Sequence, residues 1–372
     1  MLNFKEDLFI MSRNQAFPEL VSSHLKKKIQ QLKDVGRSDD ARRLELQYFY
    51  NTSEDDIVAT ATNRHYEADI GGKLTHVERL YAHHCCIEIN FVCKAHCRYC
   101  LRSNYDKWTI SKDEIDGIID YINNENLSEV LITGGDPFLT VQILDDLVQQ
   151  IYERCKSLKI VRIATRVITQ DPEYIVNNTN GILSLLERMT KMFRKVEVAT
   201  QINTWVELDD ENVEKAISAI QALGIVIYSQ NVFLKNVNDS AEELIKLYTY
   251  MRINGIESHY LFHCCDIKGA AHFRTSVHDM VRCYEKLVNS GAISGRCKPL
   301  MALMTPIGKI VITDLNSLEY KGDSLVLRSC YKYEDRIKYN PEWKLPQDAW
   351  VDKDGYLWCE YRGEALQFRV ND

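Results

Sequence analysis

Phe91-Val-Cys93-Lys-Ala-His-Cys97-Arg98-Tyr-Cys100-Leu-Arg102 is the stretch on which the reading of this chain turns. Its three cysteines stand in the order Cys-x3-Cys-x2-Cys, directly after the apolar run 87–92. A 4Fe–4S cluster takes one thiolate per iron, so three thiolates hold three irons and leave the fourth open to bind a ligand. A structural zinc site would want a fourth ligand close by. A disulfide framework would not crowd three cysteines into eight residues. The remaining nine of the twelve cysteines fall mostly in apolar runs and read as small buried hydrophobes, with no ligand role.

The 372 residues suffice for one large domain with appendages or for two domains, and 45% hydrophobic residues supply a sizeable core. A formal charge of −7 and a pI near 5.9 argue against a nucleic-acid surface. The run Lys26-Lys27-Lys28 reads as the solvated face of an amphipathic helix. The apolar run 8–11 is too short for a signal peptide, and no stretch reaches the length of a membrane span. A cytoplasmic protein with neither nucleic-acid nor membrane partners is expected.

Residues 20–31 and 39–49 have helical apolar spacing around a turn at Gly36. From residue 86 the rhythm changes. Strands are expected at 86–91, 129–133, 159–164, 195–200, 226–231 and 258–263. Helices are expected between them at 112–123, 141–153, 182–192, 209–223 and 240–254. This alternation implies a parallel sheet. Six units make an incomplete (β/α)6 barrel, with the chemistry at the C-terminal ends of its strands. An α/β fold is thus expected in three parts: an N-terminal helical extension over 1–83, the partial barrel over 84–300, and a small C-terminal extension over 301–372. That extension reads as β-like runs at 310–313 and 324–328, followed by a loop-rich aromatic tail.

A second constellation, Leu131-Ile-Thr-Gly134-Gly135-Asp136-Pro137, closes the second strand. Its glycines let the backbone approach a ligand, where free backbone groups can bind an amino group. Together the triplet and this turn resemble the radical S-adenosylmethionine (SAM) enzymes, in which the amino and carboxylate groups of SAM chelate the open iron. The resemblance narrows with Asp266-x5-His272-Phe273-Arg274-Thr275, Val161-Arg162-Ile-Ala-Thr-Arg166, Gln230-Asn231, Val237-Asn238-Asp239 and Ser294-Gly295. From about residue 74 to 327 the chain resembles the lysine 2,3-aminomutase family.

That resemblance implies a radical SAM barrel and an isomerase that moves an α-amino group to the β carbon of a basic amino acid, arginine or lysine. It also implies a 4Fe–4S cluster on Cys93, Cys97 and Cys100, SAM, and pyridoxal 5′-phosphate (PLP). Lys309, in Pro306-Ile-Gly308-Lys309, stands where the family's PLP lysine stands, in a run with a single glycine. Arg102 matches the arginine that grips the substrate carboxylate, and a planar guanidinium suits that task. Asp266 matches a carboxylate that receives the far ammonium of lysine. A second family aspartate is Met304 here. Gly134, Gly135, Asp136, Gln230 and Arg98 fall at cofactor-binding positions. Arg79 stands in the altered phosphate-binding stretch, with His83 and His84 nearby. An external reductant such as flavodoxin or ferredoxin is implied, and a homo-oligomer is compatible with the pattern. Two alternatives remain open: a PLP-independent radical SAM enzyme that abstracts hydrogen from an amino acid, and an aminomutase acting on a protein-bound lysine.

Overall fold

A computed structural model of the chain describes residues 17–55, 76–104, 109–313, 319–321 and 324–362. The apolar run 8–11 and much of the stretch before His76 lie outside the described residues.

The N-terminal helices form where the spacing places them. Helix α1 (Ser23–Asp34) is capped by the Ser22 side chain, and α2 (Ser38–Tyr48) follows a turn in which Gly36 takes a φ of 77°. Their apolar faces bury Leu25, Ile29, Leu32, Ala41 and Leu44.

Nine strands then form one sheet in chain order. Antiparallel β1 (Val77–Tyr81) leads into β2 (His84–Glu88). Parallel strands follow: β3 (Glu129–Thr133), β4 (Ile160–Ala164), β5 (Lys195–Thr200), β6 (Val226–Phe233), β7 (Glu257–His263) and β8 (Leu300–Thr305). Antiparallel β9 (Gly308–Val311) ends the sheet. The expected partial barrel is present. Its six expected strands are joined by a seventh parallel one, β8, and by antiparallel strands at both edges.

Helices α3 (Lys112–Asn124), α4 (Val141–Arg154), α7 (Ile182–Met192), α8 (Glu211–Gln221), α9 (Ala241–Ile253) and α10 (Val277–Asn289) connect the parallel strands. Between α4 and α7 lie two short helices, α5 (Val167–Gln170) and α6 (Pro172–Val176). Side-chain caps start several of the long helices: Ser111 with Glu114 as a capping box on α3, Asp210 on α8 and Ser240 on α9. The outer face of the sheet and the inner faces of the helices share one core. In α4, for example, Leu144, Leu147, Val148 and Ile151 are fully buried at helical spacing. Each such side chain contributes roughly 1.5–3 kcal/mol by leaving water. Helix α10 was not expected from the sequence, although Val277, Met280, Val281 and Leu287 bury one face of it.

The tail is more ordered than its composition suggests. Strands β10 (Glu319–Lys321), β11 (Ser324–Lys332), β12 (Ala349–Val351) and β13 (Tyr356–Arg362) form an antiparallel sheet in the order β10-β11-β13-β12, with α11 (Tyr333–Tyr339) after β11. Tyr331 of β11 reaches back to the barrel. Its hydroxyl donates to the Lys309 carbonyl at 2.7 Å and lies 3.4 Å from the Tyr81 hydroxyl, touching β9 and β1 together. Gly308 makes room for it, since a Cβ there would stand 2.9 Å from the Tyr331 ring. All twelve cysteines are free thiols. Among the described residues, no helix is long and apolar enough to cross a membrane.

Candidate active site

The inward side chains of the strands surround a cavity of about 610 Å³. At one end, β2 runs into the cysteine loop and meets the glycine turn after β3. The two backbones pass in contact. Gly135 N–H donates to the Asn90 carbonyl at 2.5 Å, and Asp136 N–H donates to that of Val92 at 2.7 Å. A Cβ on Gly134 would lie 2.3 Å from the Asn90 oxygen, and one on Gly135 would lie 2.5 Å from the Val92 nitrogen and oxygen. These glycines line the cavity, but the space a side chain would take is filled by the chain entering the cysteine loop. Asp136 also faces the protein. Its carboxylate accepts from the Thr165 hydroxyl and from the backbone N–H groups of Phe138, Arg166 and Val167. Burial outweighs those bonds and pushes its pKa up to about 6.

Cys93, Cys97 and Cys100 all line the cavity. Burial raises the pKa of Cys93, and it pushes that of Cys100 up to about 11, with Cys97 nearby adding to the effect. Three thiolates this close coexist only against a strongly cationic centre, which is what a metal cluster supplies. Among the described residues no three His, Cys, Asp or Glu side chains are placed to share a single metal ion. A cluster asks for one thiolate per iron and does not require the sulfurs to meet on one ion. Arg98 is not on the wall. Its guanidinium is held by Glu54 and by the carbonyls of Phe17 and Pro18, so it ties the cysteine loop to the N-terminal segment.

Each arginine of the cavity's barrel half is flanked by acid. Arg102 is on the wall, with Nε on Glu88 and Nη2 3.7 Å from Glu78. Arg162 projects inward from β4 between Glu129 and Glu197, at 2.8 Å from each. Arg79 reaches the wall, but its guanidinium is spent on Glu125, the Tyr121 hydroxyl and the carbonyls of Tyr81 and Ala82. Arg102 and Arg162 are thus each held between two carboxylates, and Lys195 also pairs with Glu197.

Lys309 projects into the same space from β9, opposite Met304, which also lines the wall. Its ammonium lies 4.0 Å from the centre of the Tyr260 ring and 5.5 Å from that of Tyr81. Burial draws its pKa down to about 8, aided by the charge of Arg162 and opposed by Cys86 and Cys330. Nearby imidazoles are neutral: burial first, then neighbouring cations, lowers His84 to about 3 and His259 to about 4. His84 Nε2, His259 Nδ1 and Thr200 Oγ1 are buried without a hydrogen-bond partner among the described residues. Orphaned polar atoms around a desolvated lysine suit a polar ligand bound through an amine.

Gln230 is on the wall, and Asp266 is not among the residues that form it. Sequence reasoning gave Arg162, Arg166 and His259 no role. The available signal was a charged or ring-nitrogen residue in, or just beyond, an otherwise apolar strand, a placement that nearly always has a partner.

The chain matches the family described as "4Fe-4S single cluster domain" over residues 89–171, which contain the three cysteines and the glycine turn. It is 33% identical over 248 residues to a putative L-lysine 2,3-aminomutase of Aquifex aeolicus, covering 65% of this chain and 63% of that one. It is 31% identical over 248 residues to the L-lysine 2,3-aminomutase of Methanococcus maripaludis, covering 65% and 55%. It is 29% identical over 259 residues to that of Bacillus subtilis, covering 67% and 52%. The chain thus spans less than two thirds of the length of these relatives. Among solved structures, a radical SAM methyltransferase from Sphaerobacter thermophilus superposes with a TM-score of 0.46 at 11% identity, over 77% of this chain and 96% of that one, a likeness too loose to build on. Over about two thirds of its length the chain is thus similar to proteins described as L-lysine 2,3-aminomutases.

Proposed function

We propose that this protein is a radical SAM aminomutase that uses PLP to move the α-amino group of a basic amino acid, arginine or lysine, to the β carbon. The observation that carries the reading is that a single cavity is lined by Cys93, Cys97, Cys100, the Gly134-Gly135 turn, Arg102 and Lys309. When bound, the cluster and SAM would supply a hydrogen-abstracting radical, and PLP would supply electronic stabilisation for the migrating nitrogen. The three cysteines would hold three irons, and the backbone at Gly134-Gly135 would face the amino group of SAM. Lys309 would hold PLP through its amine. Phosphate would be met by donors such as His84, His259 and Thr200, because Arg79 and Arg162 are committed to carboxylates.

In this reading Arg102 orients the substrate by its α-carboxylate, which would take the place of Glu78 or Glu88 on the guanidinium. The carboxylate so released from Arg102 would favour a substrate with a cationic side chain over a carboxylate-bearing one such as glutamate. Asp266 keeps its proposed part in reading the far end of the substrate, although it is not among the lining residues. The rest of the protein's part is orientation and the exclusion of water. A small external reductant would supply the electron.

The test is 5′-deoxyadenosine and β-amino acid formation from arginine, lysine, ornithine and glutamate, in the parent, Cys97→Ala and Asp266→Asn. Products are expected from arginine or lysine and none from Cys97→Ala. Turnover of glutamate, or full activity in Cys97→Ala, would overturn the reading. The commitment of Arg79 and Arg162 favours a second reading, a PLP-independent radical SAM enzyme. SAM cleavage that is indifferent to added PLP would select it.

A further inference from the structure

Beside the cysteine loop, Arg166 stands at the centre of a hydrogen-bond network that the reaction outlined above does not use. Its Nη1 donates to the Cys97 sulfur at 2.8 Å and to the Tyr99 hydroxyl at 2.6 Å. Its Nη2 donates to the Tyr48 hydroxyl and to Glu207, both at 2.8 Å. The side chain is only 12% exposed and that of Glu207 not at all. Gln170 points its amide at the same sulfur, at 3.6 Å.

The partners of Arg166 are themselves fixed. Tyr99 donates to the Gln47 side chain at 3.1 Å, and Asn203 bonds both Gln47 and Tyr99. Glu207 accepts from the backbone N–H groups of Asn203 and Thr204. Gln47 and Tyr48 belong to α2, and the Gln47 carbonyl also accepts from the Arg98 N–H in the cysteine loop. The helical hairpin, the end of β4 and the cysteine loop are thereby locked around one guanidinium. A planar five-donor group suits such a node, while lysine could satisfy only part of it.

We propose that Arg166 is a positioning residue for the cluster. Its hydrogen bond to the Cys97 sulfur, fixed in place by Tyr48 and Gln47 of the N-terminal hairpin, makes the cluster easier to reduce. The inference rests on the reading that Cys93, Cys97 and Cys100 hold that cluster. On one-electron reduction the added charge spreads over iron and sulfur. An N–H donor aimed at a ligating sulfur therefore stabilises the reduced form more than the oxidised form. Among the described residues, Cys97 is the one of the three cysteines with a guanidinium donating to its sulfur.

The experiment uses the anaerobically reconstituted holoprotein, with dithionite as the electron donor, in the parent grown on 15N-guanidino arginine and in Arg166→Lys. Pulsed electron paramagnetic resonance of the reduced parent should show 15N hyperfine coupling to the cluster, and Arg166→Lys should lack it. The midpoint potential of Arg166→Lys should fall by at least a tenfold loss in the reduction equilibrium, which is about 59 mV for one electron. A reduced parent cluster without 15N coupling overturns the proposal, and it does so even where the variant fails to take up iron. A variant that binds less iron but keeps the parent potential also overturns it, leaving Arg166 a merely structural residue. A parent that forms no four-iron cluster at all would instead sink the underlying reading of the three cysteines.

Discussion

Replacing Gly135 with alanine tests the contact between the glycine turn and the cysteine loop. The new Cβ would lie 2.5 Å from the Val92 nitrogen and oxygen, where ordinary contact begins at 3.4 Å, so the two backbones must part by about 0.9 Å. Neither side can yield by turning a side chain, because both are main chain. Two hydrogen bonds cross this contact, from Gly135 to Asn90 and from Asp136 to Val92. Overpacking of this kind costs about 1–3 kcal/mol. Two weakened backbone hydrogen bonds add about 1 kcal/mol each, for a total near 3–5 kcal/mol. In a chain of this size that lowers Tm by roughly 6–10 °C, at about 2 °C per kcal/mol. Cys93 is the next residue after Val92, so the displacement also moves a proposed iron ligand. Thermal unfolding of the apoprotein and iron per chain after reconstitution would both be measured. A Gly135→Ala protein with the parent Tm and a full complement of iron would refute the reasoning.

Lys309 should react with PLP at a lower pH than an ordinary lysine. Borohydride trapping at Lys309 should rise through about pH 8 and disappear in Lys309→Ala, and a half-point near that of a surface lysine would contradict the burial argument. Because its folded pKa lies below its unfolded value, the stability cost of Lys309 is full below about pH 8 and is relieved as pH rises toward the ordinary lysine range, a trend that Lys309→Met should abolish in denaturant titrations. Glu207→Ala leaves the Arg166 guanidinium without its buried carboxylate and should cost about 3–5 kcal/mol of unfolding free energy. A loss below 1 kcal/mol, read from the urea midpoint, would show that the tyrosines and Cys97 suffice as partners.

Much of the barrel is legible in the sequence because its strands are short apolar runs separated by amphipathic helices, the pattern that a sheet buried on one face imposes. Strands 129–133 and 195–200 and helix 182–192 fall where periodicity puts them. The edges are harder to see. Strand β1 falls within the stretch 1–83 expected as a helical extension, and the polarity of Glu78 and Arg79 hides it until Arg102 and Glu125 are seen to pair with them. Strand β8 follows a helix that the reading missed, so its run Leu300–Thr305 had no unit to belong to. In the site, spacing brings the cysteines, Gly134, Gly135, Arg102, Gln230 and Lys309 to one cavity. It cannot reveal what each group already holds. Arg98 and Arg79 look like ligand-binding arginines by position, and their internal partners appear only once the chain is folded. Asp266 is not among the lining residues for the same reason, since its position on the loop after β7 does not fix the direction of its side chain.

The barrel is fastened along most of its circumference by ladders of main-chain hydrogen bonds, but among the described residues its first and last strands are not neighbours in any ladder. Among the described residues that seam is crossed by Tyr331 of the C-terminal sheet and by the Lys309 ammonium beside the Tyr81 ring. A phenol contact of this kind is worth on the order of 1 kcal/mol, against several backbone bonds along any other joint. The wall beside Lys309 is therefore the least costly place for the barrel to part, and the hand that closes it belongs to the tail. On the proposed function, loading Lys309 and sealing the chamber would be a single mechanical matter, shared with a segment that carries none of the proposed chemistry.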